Sequence, residues 1–478
     1  MIPLPLAGCE GLDTRQAWTP DSFKLETCDN IQILPAGSIA SRPALVEVAG
    51  LHAQSVGLYS RGGYLRCIVP SGQSYQDLAP YGSGVIYDGI GQGGSFNYDN
   101  KIAQVLVAET FGTSVSSGPN GYVSILRSDN GLVEHHWIRE PPASAATYTD
   151  TKVNLPFTPG KALLKIETKL VADDPANGYL RYCSSLSASD WLAVSDAGFE
   201  AALQFVNGSR EIVGLGVHRG AMAVLFSDAV QLWHMDAVPA NIQPLETMNG
   251  PGTVHPRSIE NIGGDLICFG PAGFSSLTTA RDTGLADHGD IGEEIRSLTE
   301  EITGTDAVIA LFSQRRSQYL AAYGTTVYVL NRYRGQSDPS WVKWTLPVEV
   351  EAMAELNGVV YIRSGDTLYR LDDTVGRDSG ASSDIAWSWQ SISLGGPARS
   401  QVLIKSLKEI VVQNTARATW TPVCDGRTLT GARVIIPGST RPIRANFCGS
   451  GRRVGVLCQG AGLMRMDGLL MSAEECGV

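Results

Sequence analysis

Four consecutive stretches in the middle of this 478-residue chain repeat one plan, three short strands joined by tight turns. Residues 213–235 run VGLGV, a turn at Arg219-Gly220, AMAVLF, a turn at Ser227-Asp228, and AVQLWHM. Residues 258–277 give SIENI, Gly263-Gly264, DLICF, Pro271-Ala272-Gly273 and FSSL. Residues 310–331 give ALFSQ, Arg315-Arg316-Ser317, QYLAAY, Gly324-Thr325 and TVYVL. Residues 351–371 give EAMAEL, Asn357-Gly358, VVYIR, Ser364-Gly365-Asp366 and TLYRL. Apolar or alternating runs separated by such turns are the sequence signature of β-hairpins. Starts spaced roughly 40–50 residues apart match the period of propeller blades. A propeller protects the edges of small sheets by closing them into a ring, so repetition is what makes the fold stable. The predicted fold class is all-β: a β-propeller with one inserted short helix, plus an N-terminal arm and a C-terminal β-domain.

The boundaries follow from where the rhythm begins and ends. Residues 1–50 read as an irregular arm with first strands around Ile31–Leu34 and Ala44–Val48, and 51–375 as the propeller. Residues 376–478 read as a C-terminal β-domain, after a polar Gly/Ser stretch that reads as a linker. The convincing helix lies at about 290–303, where Ile291, Ile295, Leu298 and Ile302 make one apolar stripe at helical spacing. It interrupts the repeat and reads as an insertion between blades.

Glycine stands at 53, in keeping with many turns between packed sheets, and the net charge is −11. That balance argues against a broad basic surface gripping nucleic acid, but suits a wall that DNA slides past. The nine cysteines are scattered from Cys9 to Cys476 without a C-x-x-C pair, and several sit inside apolar runs. They read as small buried side chains of a reducing compartment. Leu6-Ala7-Gly8-Cys9 has the letters of a lipoprotein cleavage box, yet no basic or extended apolar segment precedes it. No run of 18 apolar residues occurs, so no membrane-spanning helix is expected.

Catalytic and cofactor motifs are not found, and the chain reads as a non-enzyme with no catalytic, cofactor or metal residues. Gly89-Ile90-Gly91-Gln92-Gly93-Gly94 fits a dinucleotide fingerprint in letters, but no helix follows to receive a pyrophosphate. His135-His136 are adjacent in an extended run, so their rings should point to opposite faces. His218 and His234 lack a carboxylate or cysteine at ligand spacing. The remaining candidates concern partners. Glu293, Glu294, Glu300 and Glu301, with Asp290, read as the polar side of the inserted helix, either solvated or a dock for a basic partner. Arg315 and Arg316, in a blade turn, read as a soluble turn or part of a subunit- or DNA-facing rim.

The run VGLGVHRGAMAVLFSDAVQLW (213–233), then IQPL (242–245) and HPRSIENIGGDLICFGPAGFSSL (255–277), resembles the tail nozzle, or packaged-DNA stabilisation, proteins of short-tailed double-stranded DNA phages. Three further fragments are similar: ILPAGSIASRPAL (33–45), YLRYCSSLSASDW (179–191) and DHGDIGEEIRSL (287–298). The resemblance covers roughly 33–371 and carries no catalytic residue. It implies a virion protein, assembled in the host cytoplasm, that forms a hexameric ring below the portal and its head-to-tail adaptor. Such a ring extends the DNA channel, retains packaged DNA with a needle or plug, and anchors tailspikes or fibres. The alternatives are a carbohydrate-binding or glycosidase-type propeller and a peptide-binding scaffold propeller. The first would show paired carboxylates or S-x-D-x-G-x-x-W boxes, the second repeated Trp-Asp, and none of these is present.

Overall fold

The computed structural model describes residues 2–5, 25–34, 38–51, 55–61, 64–69, 85–89, 102–109, 121–127, 132–139, 149–192, 196–205, 211–278, 290–305, 307–332, 340–391, 394–395, 404–451 and 453–476. Among these residues, seven small sheets form a ring. Blade 1 holds Val56–Arg61, Tyr64–Val69 and Val85–Gly89, the last pairing parallel. Blade 2 holds Ile102–Glu109, Gly121–Arg127, Val133–Arg139 and Thr149–Lys152. Blade 3 holds Leu163–Ile166, Lys169–Asp174, Tyr179–Tyr182 and Gly198–Glu200. Blade 4 holds Gly214–His218, Ala221–Leu225, Ala229–His234 and Gln243–Asn249. Blade 5 holds Glu260–Ile262, Asp265–Gly270 and Gly273–Ser276. Blade 6 holds Ile309–Ser313, Gln318–Tyr323, Thr326–Asn331 and Ser340–Thr345.

Blade 7 closes the ring. Its strands Ala352–Leu356, Val359–Ser364 and Thr367–Asp372 take their fourth partner from the other side of the propeller sequence, Ala44–Gly50, with Leu45 opposite Leu371. The first strand of every blade lies against the first strand of the next, all the way from blade 1 through blade 7 and back. The chain is a β-propeller. Its predicted turns sit where the backbone needs them: Arg219-Gly220, Gly263-Gly264 and Asn357-Gly358 all have positive φ, the condition for two-residue hairpin turns that match strand twist. Side chains also stitch blades together. Asn261 Nδ2 donates to Val217 O at 2.7 Å, Gln314 N to Glu355 Oε2 at 2.9 Å, and Tyr319 Oη to Ser258 O at 2.8 Å.

The N-terminal arm is paired throughout its described strands: Ile31–Ile33 pairs with Ile39–Ser41, and the others find partners late in the sequence. One sheet runs Ile31–Ile33, Ile39–Ser41, Arg465–Cys476, Ile404–Asn414 and Ile443–Gly451, with Ile2–Pro5 also on Arg465–Cys476. The other runs Leu25–Asp29, Ala386–Ser391, Arg453–Ala461, Ala418–Cys424 and Arg427–Thr428, with Leu394–Gly395 and Val434–Ile436 as short additions. The two sheets pack face to face as a sandwich; within the second, Trp389 and Trp420 flank the strand Arg453–Ala461 and meet edge-to-face at 5.5 Å between ring centroids. One apolar cluster runs without a break from blades 5, 6 and 7 into this sandwich, joining Phe274, Trp341, Trp344, Leu45, Ile31, Trp387, Trp389 and Trp420. By area, burying so many large side chains is the dominant stabilising term at the junction.

Residues 372–384, which read from the sequence as a polar Gly/Ser linker, are pinned instead. Asp378 is buried and takes Arg42 Nη1 at 2.9 Å and Nη2 at 2.5 Å, plus the Leu45 amide at 2.7 Å. A Gly/Ser-rich composition signals local freedom, and only a contact distant in sequence removes it.

Candidate partner-docking surfaces

The inserted segment between blades 5 and 6 is shorter as a helix than its apolar stripe predicts. A 3-10 turn, Glu293–Ile295, runs into a single α-turn, Arg296–Thr299. Asp290 sets its start, accepting the Gly292 amide at 2.8 Å and pairing with Arg296. Gly292 is closely packed, since a Cβ there would lie 3.0 Å from Phe274 Cβ and 3.1 Å from its amide nitrogen. The carbonyls of Ile291 and Leu298 are taken by blade 6, through Trp341 Nε1 at 2.7 Å and Tyr328 Oη at 2.7 Å. Ile291 and Ile295 enter the main core, with Leu298 and Ile302 packed against it. Tertiary docking, rather than a long intrahelical ladder, therefore holds the stripe in place. Glu293, Glu300 and Glu301 face solvent, but Glu294 is turned inward at 6% exposure, so it leaves the acidic face assigned to it.

Arg315 and Arg316 do not form one rim. Arg315 is exposed and lies over the blade 7 turn, where Gly358 alone leaves space for its chain. Arg316 reaches Asp373, whose carboxylate also accepts Gln32 Nε2 at 3.0 Å. It is a clamp between blade 6 and the sandwich. The same junction contains a hub that carries no sequence signal of chemistry. Asn30, held at φ 56°, donates its amide to Lys343 O at 3.0 Å and Nδ2 to Ala386 O at 2.9 Å. Its Oδ1 accepts Arg42 Nε at 3.0 Å and the Thr345 amide at 2.7 Å. Arg42 and Pro43 belong to the Arg-Pro fragment of residues 33–45, so that fragment's observed role is to fix propeller against sandwich.

Buried polar groups elsewhere are held by their own blades. Lys169 is 1% exposed, and its Nζ meets Asp196 O at 2.7 Å and the Asp196 carboxylate at 3.3 Å, above the Tyr182 ring. Asp196 is held below the usual carboxylate range, chiefly by the Ser185 hydroxyl. Asp173, which accepts the Ala162 amide at 2.8 Å, is pushed up to about 7 by burial. His135 is buried beside Trp191, His218 is buried, and exposed His234 lies 3.9 Å from Asp236. The side chain of His136 and the whole of the 90–94 glycine turn lie outside the described residues. Among the described residues, no three His, Cys, Asp or Glu side chains gather as a metal site. Cys28, Cys67, Cys183, Cys268, Cys424 and Cys458 are buried.

A second charged surface stands at the edge of the sandwich remote from the propeller. Leu25–Asp29 and Ile31–Ile33 pack against the outer strand of blade 6, which puts Arg427–Thr428, Val434–Ile436 and Ile443–Gly451 at the opposite edges of their sheets. Arg427, Arg433, Arg441 and Arg444 are exposed there, around Ile435 at 51% exposure. The sequence did contain a signal. Residues 386–478 hold nine Arg and two Lys against five Asp and Glu, a net +6, which leaves −17 for the other residues of a −11 chain.

No family model matches this chain, and no curated protein matches it. Solved structures give likenesses at low scores. The AfRom2 CNH domain has a TM-score of 0.31 at 12% identity, covering 60% of this chain and 95% of that one. PorZ, a surface component of the type-IX secretion system of Porphyromonas gingivalis, has a TM-score of 0.31 at 12% identity, covering 72% and 58%. The WD40 propeller domain of Doa1 has a TM-score of 0.25 at 11% identity, covering 57% and 95%. These values carry no argument, and the fold rests on the strand pairing itself.

Proposed function

We propose that this chain is a structural virion subunit of the tail nozzle type, forming a ring below a portal–adaptor complex. In this reading the ring extends the DNA channel, retains packaged DNA and anchors tailspikes or fibres. The observation that carries the proposal is the fusion of a seven-bladed ring to a sandwich through one continuous core, with Asn30, Arg42 and Asp378 locking the joint. A rigid two-part wedge of this kind suits lateral packing around an axis. The fragments shared with nozzle proteins supply the viral context, and the Arg-Pro fragment lies at that joint. Net negative charge favours a channel that DNA passes without sticking.

The test adds purified protein to DNA-filled heads that carry portal and adaptor but lack this component. A ring of density at the portal vertex with DNA retained is the expected result. Folded protein that neither binds nor retains DNA would end the nozzle reading.

A further inference from the structure

We propose that the arginine edge of the sandwich docks on the acidic insertion of a second copy of this chain, head to tail. This deepens the ring reading by naming the contact, although the contact itself needs no viral partner. Three observations converge on it. Arg427, Arg433 and Arg441 are exposed on the outermost strands and loops of both sheets, and no carboxylate lies within ion-pair distance of them among the described residues. Exposed Ile435 stands among them, and arginine around an apolar side chain is the composition of a protein interface. The complementary charge lies on the same chain but on another face, at Glu293, Glu300 and Glu301.

The fold keeps these surfaces apart. The insertion is fastened to blade 6 through Trp341 and Tyr328. The arginines sit at the sheet edges opposite those that touch blade 6. One molecule thus presents both halves of a match, and only a neighbour can complete it. Two different patches make a heterologous contact, which closes into a ring when the rotation between copies allows. Guanidinium groups suit the role because their planar fork holds carboxylates in two parallel hydrogen bonds. A nucleic acid fits less well, since the remaining −17 of the chain repels a polyanion and no aromatic ladder accompanies the arginines.

Sedimentation of the full chain tests this with two triple variants, R427E/R433E/R441E and E293R/E300R/E301R, both checked for folding by circular dichroism. The wild type should self-associate at low salt and dissociate near about 0.5 M salt, where screening shortens to a few ångströms. Each variant alone should lose at least about tenfold in association. An equimolar mixture should recover it, because each reversed edge then meets a reversed insertion. Three results would overturn the proposal: a wild type that stays monomeric at low salt, folded variants that associate as the wild type does, or a mixture that stays apart. A fourth would too, namely an arginine variant that loses only duplex-DNA binding. The nozzle reading is scored separately on heads, so either idea can fail alone.

Discussion

Asn30 makes five hydrogen bonds to three separate segments while holding a left-handed backbone that suits Asn better than most residues. Asn30→Ala removes three side-chain hydrogen bonds, of which the one to Arg42 is part-buried and the other two exposed, and should therefore destabilise the protein by about 1–3 kcal/mol, backbone strain included. Urea titration measures this, and a loss below about 0.5 kcal/mol would remove Asn30 from the joint. Breaking the Arg42–Asp378 pair by Asp378→Ala should cost about 3–5 kcal/mol, because an uncompensated buried guanidinium remains. Asp173 predicts a pH effect with a definite sign. Burial lifts its carboxyl from 3.8 to about 7, with Glu211 and Asp174 pushing the same way. The folded chain keeps a proton that the unfolded chain gives up, so this stability is complete below about pH 4 and is lost as pH rises through 7. Glu200 and Glu260 are shifted in the same direction. Asp173→Asn, which retains an acceptor for the Ala162 amide, should reduce the fall in stability between pH 5 and 8 by a few kcal/mol. An unchanged slope would mean that Asp173 is ionised in the fold.

At the scale of elements, what could be read early was whatever was local. The turns at Arg219-Gly220 and Asn357-Gly358 were legible because two adjacent residues fix the hairpin geometry. The apolar stripe of Ile291, Ile295, Leu298 and Ile302 was legible as a buried face, but not as a short one. Its length is set by Trp341 and Tyr328, residues from another blade. The inward turn of Glu294, at 6% exposure, has no local signal in the sequence either. The pairing of Ala44–Gly50 with Thr367–Asp372 was hidden, since no local pattern encodes a partner more than 300 residues away. The C-terminal strands are legible as β, but their pairing with the N-terminal arm is hidden likewise, because they show neither rhythm nor repeat. These pairings bear on truncation. A chain ending at residue 375 loses Asp378 and uncovers Trp344, Ile31 and Leu45. It should express as an aggregating or non-cooperative product. A sharp, reversible melt from it would show that the propeller is independent of the sandwich.

Across the whole molecule, the unbroken core predicts one calorimetric transition rather than two, since neither part can expose its side of the junction alone. Two well-separated peaks would show that the junction is weak. The strand order also has a consequence in time. Ile39–Ser41 and Ile2–Pro5 precede most of the chain, yet both pair with Arg465–Cys476, synthesised roughly 425 and 470 residues later respectively. Ala44–Gly50 waits likewise for Thr367–Asp372. An interrupted product therefore carries unmated strands and an open ring, a poor building block and a ready target for proteases. Synthesis itself acts as an inspection, because a molecule becomes fit to join its neighbours only when its late strands have come back to meet its early ones.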